Sequence, residues 1–139
     1  MVFTGAFGKN LDILKRTMDV SLMRRQVIAD NIANADTPNF KRSTISFESE
    51  LARALASEGS AGGFTPLMTD PRHMVFEQPV DYRSVEPQRV WDYLTTAKNN
   101  GNNVDIEVET MSLLENQMLY ETMAGVLVSE YARVNMVLK

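Results

Sequence analysis

Residues 101–139 read GNNVDIEVETMSLLENQMLYETMAGVLVSEYARVNMVLK, and this stretch decides the fold. Starting at Ile106 and stepping by four and then three residues visits Thr110, Leu113, Gln117, Tyr120, Ala124, Leu127, Tyr131, Val134 and Leu138. That is a mostly apolar seam held over several heptads, the spacing of one helix packed along another. Leu114, Met118 and Val128 widen one shoulder of the seam, and Leu119, Met123, Val126 and Val137 the other. The Asn99-Asn100-Gly101 run is turn chemistry. Asn102 or Asn103 is expected to cap the helix, and Asp105, Glu107 and Glu109 put negative charge where the helix dipole favours it. From Met123 to Val128 the helix is apolar around most of its circumference, and such a helix is buried on several sides.

The other end of the chain supplies a partner. Lys9 to Asn34 contains no proline or glycine, and Leu11, Leu14, Met18, Leu22, Ala29 and Ile32 recur as one helical face that Arg25 interrupts. Residues 9–34 hold five bases and three acids, whereas residues 104–139 hold six acids and two bases. Net charges of +2 and -4 favour pairing of the two segments, within one chain or between neighbours, although each exposed ion pair adds only about 0.2–1 kcal/mol. Two helices side by side cover one stripe each. The remaining apolar surface of the second helix therefore calls for other subunits.

The expected fold is mostly α: long N- and C-terminal helices pair as a coiled coil, around an irregular middle with room for short strands. Three segments follow: residues 1–42, an N-terminal helix and turn; residues 43–100, a variable middle with a linker; and residues 101–139, the C-terminal helix, the two ends forming one structural domain. Within the middle, Ser46 is placed to cap a short helix carrying Phe47, Leu51 and Leu55, which Gly59 ends. Ser57 to Gly63 has the composition of a flexible linker. Pro66, Pro71, Pro79 and Pro87 exclude a central sheet strand between Phe64 and Arg89. Val90 to Ala97 is expected to form a helical turn or two.

Composition narrows the chemistry. Among 139 residues there is no cysteine and one histidine, His73, so disulfides and thiolate metal sites are excluded and a His-based site is unfavoured. Glu48 and Glu50 lie two apart and diverge on a helix, and neither a phosphate-cradling glycine loop nor a metal-ligand spacing occurs. No catalytic site, cofactor, metal or small-molecule substrate is expected. A net charge of -4 argues against a nucleic-acid partner. No apolar run reaches the ~18 residues of a spanning helix. Met1 to Leu14 lacks the apolar core of a cleaved signal peptide, so any export is expected to proceed without one.

Asp30 to Arg42 ends the first helix. Thr37 is driven extended by Pro38, Pro38 presets a type I or II turn, and Asn39 tolerates the positive φ of a type II turn. Asn31-Ile32-Ala33-Asn34 followed by Thr37-Pro38, Phe40 and Lys41 resembles the N-terminal signature of the bacterial flagellar axial proteins, the rod, hook and hook-associated subunits. Gly101-Asn102-Asn103-Val104-Asp105 with Glu107 and Glu109, then Glu115-Asn116-Gln117 and Tyr120, resembles the short proximal rod subunits of that family, as does Asp70-Pro71-Arg72-His73 more weakly. Asn39 stands where the family usually has glycine.

The resemblance implies a structural subunit of the proximal rod, assembled helically through terminal helices that line a hollow drive shaft. It implies export, unfolded and without a cleaved signal, through the flagellar type III apparatus to the periplasmic rod of the basal body. Implied partners are copies of itself, other rod subunits, and membrane-ring and export-gate components at the rod base. Asn31, Asn34, Thr37, Pro38, Phe40 and Lys41 carry over as inter-subunit or export contacts, Asn102, Asn103 and Asp105 as the helix entry, and Leu113, Tyr120, Leu127, Tyr131, Val134 and Leu138 as the seam. The alternative, from a different class, is a cytoplasmic helical adaptor or export chaperone of the same apparatus.

Overall fold

The computed structural model describes residues 5–59, 69, 70, 72, 79–95 and 98–138. Two compact units emerge, one of Met1–Ile45 with Arg89–Lys139, the other of Ser46–Gln88.

The first unit is an antiparallel helix pair. Helix α1 spans Ala6–Ala33 (28 residues), and it is followed by strand β1, Ser43–Ser46. Strand β2, Gln88–Trp91, pairs with β1 in a two-stranded sheet. Helix α3, Ile106–Val137 (32 residues), runs back along α1, and at 1.5 Å per residue it is about 48 Å long. The cap of α3 is Asp105, whose carboxylate accepts from Glu107 N at 2.9 Å and Val108 N at 3.5 Å. Asn102 and Asn103 do not cap it, because the Asn102 amide is spent on carbonyls after α1 and the Asn103 amide on Asp92 and Thr95.

The buried stripe of α1 differs from the expected one. Val20, Ser21, Val27, Ile28 and Asn31 are buried, while Leu22 and Ala29 are exposed. The shift has a physical cause: two of the inward positions are polar. Ser21 Oγ donates to Asn116 Oδ1 at 2.9 Å, and Asn116 Nδ2 returns a bond to Ser21 O at 2.9 Å. A search for apolar recurrence passes over these positions and settles one residue away.

The same reason corrects the seam of α3. Glu109, Asn116 and Met123 form its buried line, with Leu113, Tyr120, Leu127 and Val134 half-buried between and beyond them. Further along α3, Tyr131 and Leu138 are 42% and 78% exposed. The inward heptad therefore runs through Glu109, Asn116 and Met123 in place of Thr110, Gln117 and Ala124.

The second unit holds helix α2, Glu48–Gly59, whose Leu51 and Ala54 are buried, as is Phe47 just before it. A short 3₁₀ turn at Tyr82–Ser84 contacts α2, with Asp81 accepting from Arg83 N at 2.9 Å. Ser57 lies inside α2, not in a linker, and its hydroxyl accepts from Val80 N at 2.9 Å. His73 and residues 60–63 lie outside the described residues. Residues 90–95 are not helical either. Val90 and Trp91 belong to β2, and the carboxylate of Asp92 accepts from Leu94 N, Thr95 N and Thr95 Oγ1, offering the backbone a turn instead.

Candidate functional site

Where α1 ends and α3 begins, polar side chains hold two turns together. Asn31, at the last turn of α1, is fully buried: its Nδ2 donates to Ser43 O at 2.9 Å and Glu109 Oε2 at 3.0 Å, while its Oδ1 accepts from Ser43 N at 3.1 Å. Glu109 is equally buried, and its other oxygen accepts from Arg42 Nε. Burying a carboxylate is expensive unless its charge is matched and its lone pairs are used, and here a guanidinium and an amide do both. Arg42 N in turn donates to Asn103 Oδ1 at 2.6 Å, and Asn103 Nδ2 donates to Asp92 O at 2.8 Å and Thr95 Oγ1 at 3.0 Å.

A second centre lies beside the first. Asn102 Nδ2 is shared among the carbonyls of Asn34, Ala35 and Thr37 at 2.9–3.0 Å, while its Oδ1 accepts from Val104 N at 2.6 Å. Lys98 Nζ donates to Ala35 O at 2.8 Å and Lys41 Nζ to Gly101 O at 2.8 Å. The bonds to Asn34 O and Ala35 O serve carbonyls at the end of α1, which the helix leaves without intrahelical partners. Asn39 has φ of 59°, Phe40 N donates to Thr37 O at 3.3 Å, and Asn39 N donates to Asn100 O at 3.0 Å, so the Thr37-Pro38-Asn39-Phe40 turn lies against the Asn99-Asn100-Gly101 turn.

The expected contact residues therefore separate into two groups. Asn31 offers a neighbour of the folded chain no hydrogen bond, because its whole amide is used internally. Asn34 Nδ2 bonds Asp30 O, and Lys41 bonds Gly101 O. Thr37 and Pro38 are exposed and Phe40 is half-buried. Of the residues that complete the site, Arg42 and Ser43 carried no signal of their own, and Glu109 read only as an acid in the first turns of α3. The available clue was a polar residue recurring at inward heptad positions.

Away from this end, the side of α3 that faces away from α1 is apolar. Met111, Leu114, Met118 and Val128 are all at least half exposed, Met118 at 61%. Among the described residues, no group of His, Cys, Asp or Glu is arranged to hold a metal, and no helix is long and apolar enough to cross a membrane.

Comparison with known proteins gives a consistent picture. Residues 23–41 match the family model described as flagella basal body rod protein. The chain is 44% identical to the flagellar basal body rod protein FlgB of Borreliella burgdorferi over 133 residues, covering 96% of this chain and 98% of that one. It is 41% identical to the FlgB of Borrelia hermsii with the same coverage. With the FlgB of Bacillus subtilis it shares 30% identity over 84% of this chain and 83% of the relative.

Proposed function

Because the chain belongs to the FlgB family of flagellar basal body rod proteins, we propose that it is a structural subunit of the proximal rod, assembling helically through α1 and α3 as part of a hollow shaft. The observation that carries this reading is the outer face of α3, where Met111, Leu114, Met118 and Val128 are exposed among the described residues. A row of apolar side chains along a 32-residue helix is surface awaiting a neighbour. In a helical shaft the contact must be heterologous, so that one face of a subunit meets a different face of the next and the series does not close on itself.

Its partners on this reading are copies of itself, other rod subunits, and membrane-ring and export-gate components at the rod base. On the same reading the role is architectural instead of catalytic. The adaptor or chaperone alternative gains no support from relatives that are named as rod proteins.

Fractionation tests the reading. In a strain that lacks the chromosomal copy, a tagged chain should restore swimming and co-purify with detergent-extracted basal bodies. Recovery only in the soluble fraction, with normal basal bodies formed in its absence, would overturn it.

A further inference from the structure

Over residues 15–31 helix α1 carries two stripes, of which only one meets α3, whereas nearer its N-terminus Leu11 and Leu14 line a cavity with Val126 and Glu130 of α3. The inward stripe is Val20, Ser21, Val27, Ile28 and Asn31. The outer one is a heptad of Lys15, Met18, Leu22, Arg25 and Ala29, rotated from the first by roughly 140° at 100° per residue. Leu22 is 48% exposed, and Lys15, Arg25 and Ala29 are also exposed.

Helix α3 repeats the design with the opposite charge. Its outer heptad is Met111, Leu114, Met118, Glu121, Gly125 and Val128, with exposed Glu107 one turn before Met111. The cation-bearing stripe and the acid-bearing stripe lie on the two outer edges of the same flat helix pair. Each fits the other's spacing, and neither can reach its complement within one chain.

We propose that the outer stripe of α1 in one copy docks on the outer stripe of α3 in the next copy, antiparallel, with Lys15 opposite Glu121, Met18 opposite Met118 and Leu22 opposite Leu114. Charge complementarity selects a second copy as the occupant. In this register Arg25 lies beside Met111 and within a helical turn of Glu107, so that ion pairs bracket an apolar centre. Complementary charges at the flanks of a helical seam fix partner and register more than they add affinity. The antiparallel direction rests on the rod reading above: copies in a rod share one orientation, so α1 of one must run against α3 of its neighbour. Successive copies then form a wall of alternating α1 and α3 helices with no self-closing contact.

The absence of cysteine from the chain permits a direct test. Two alleles, Leu22→Cys and Leu114→Cys, are expressed together in a strain lacking the chromosomal copy, and isolated basal bodies are treated with a short thiol-to-thiol cross-linker. The expected product is a dimer that requires both alleles. Adding Lys15→Glu to the first allele should lower its yield about fivefold, and adding Glu121→Lys to the second should restore it. Three results would overturn the docking while leaving the rod reading intact: chain present in basal bodies with no mixed dimer, dimer from either allele alone, or a product joined to a different protein. Absence of the unmodified chain from basal bodies would remove the rod reading itself, and the docking with it.

Discussion

Asn31 and Glu109 meet in the interior, 78 positions apart in sequence, with Asn31 Nδ2 donating to Glu109 Oε2 at 3.0 Å and neither residue reached by solvent. The contact joins the last turn of α1 to the first turn of α3, so it fixes where the two helices begin to run together.

Replacing Asn31 with Ala should therefore be costly. It would orphan Ser43 N and Ser43 O and take one donor from a buried carboxylate. We expect a loss of about 3 kcal/mol, since a buried charge deprived of a partner costs more than a lost neutral bond. Urea unfolding followed by circular dichroism measures it. A loss below about 1 kcal/mol would mean that the site is open to water in solution.

Gly101 and Asn39 form a second dependence. Gly101 has φ of 78°, and a Cβ there would come within 2.7 Å of Asn39 Oδ1. Gly101→Ala should cost about 1–3 kcal/mol from the strained backbone and the clash together. Asn39, at φ 59°, is a position that glycine also tolerates. In the double variant with Asn39→Gly the clash disappears and only the strain remains, so the two effects should be less than additive by about 0.5 kcal/mol or more. A thermal-unfolding double-mutant cycle reads the difference.

The two long helices were legible because each is an unbroken periodic segment with turn chemistry after or before it. The turn at Pro38 and Asn39 was legible for the same local reason: φ preferences belong to the residues themselves. What the sequence concealed was orientation. Helix α1 has two plausible faces, and the more apolar one, through Met18 and Leu22, lies outward, because Ser21 and Asn31 are spent on Asn116 and Glu109. Pairings between residues far apart in sequence decide this, and hydropathy contains no record of them. The same limit hid Asn102, which reads as a cap by its neighbours but whose amide serves the carbonyls at the end of α1.

Asp92 offers a pH-dependent observable. Hydrogen bonds from the Thr95 hydroxyl and then from Leu94 N hold its carboxyl below the ordinary value of 3.8. A depressed carboxylate contributes stability that is present above its unfolded value and is lost as pH falls through the folded one. The 92–95 turn should thus stay unchanged through neutral and mildly acidic pH and loosen only below about pH 3.8. Thr95→Val removes the largest cause, so the titration midpoint of Asp92, followed by NMR, should move up towards 3.8. An unmoved midpoint would show that the backbone donors alone hold it.

The Ser21 and Asn116 pair tests what polar contacts do inside an apolar seam. Removing one partner, as in Ser21→Ala, leaves the buried Asn116 Oδ1 without its donor and should cost about 1–3 kcal/mol. Replacing both, as in Ser21→Ala with Asn116→Leu, removes the unmet demand and should recover most of that stability. The recovered variant would lack the two reciprocal 2.9 Å bonds that pin α1 against α3. A single buried polar contact is the established means by which packed helices select one register over its neighbours. The double variant should therefore unfold near the parent midpoint yet show helix slippage, seen as extra or broadened amide resonances for Val20 and Met123. Sharp, single resonances there would assign the register to the Asn31 and Glu109 contact alone.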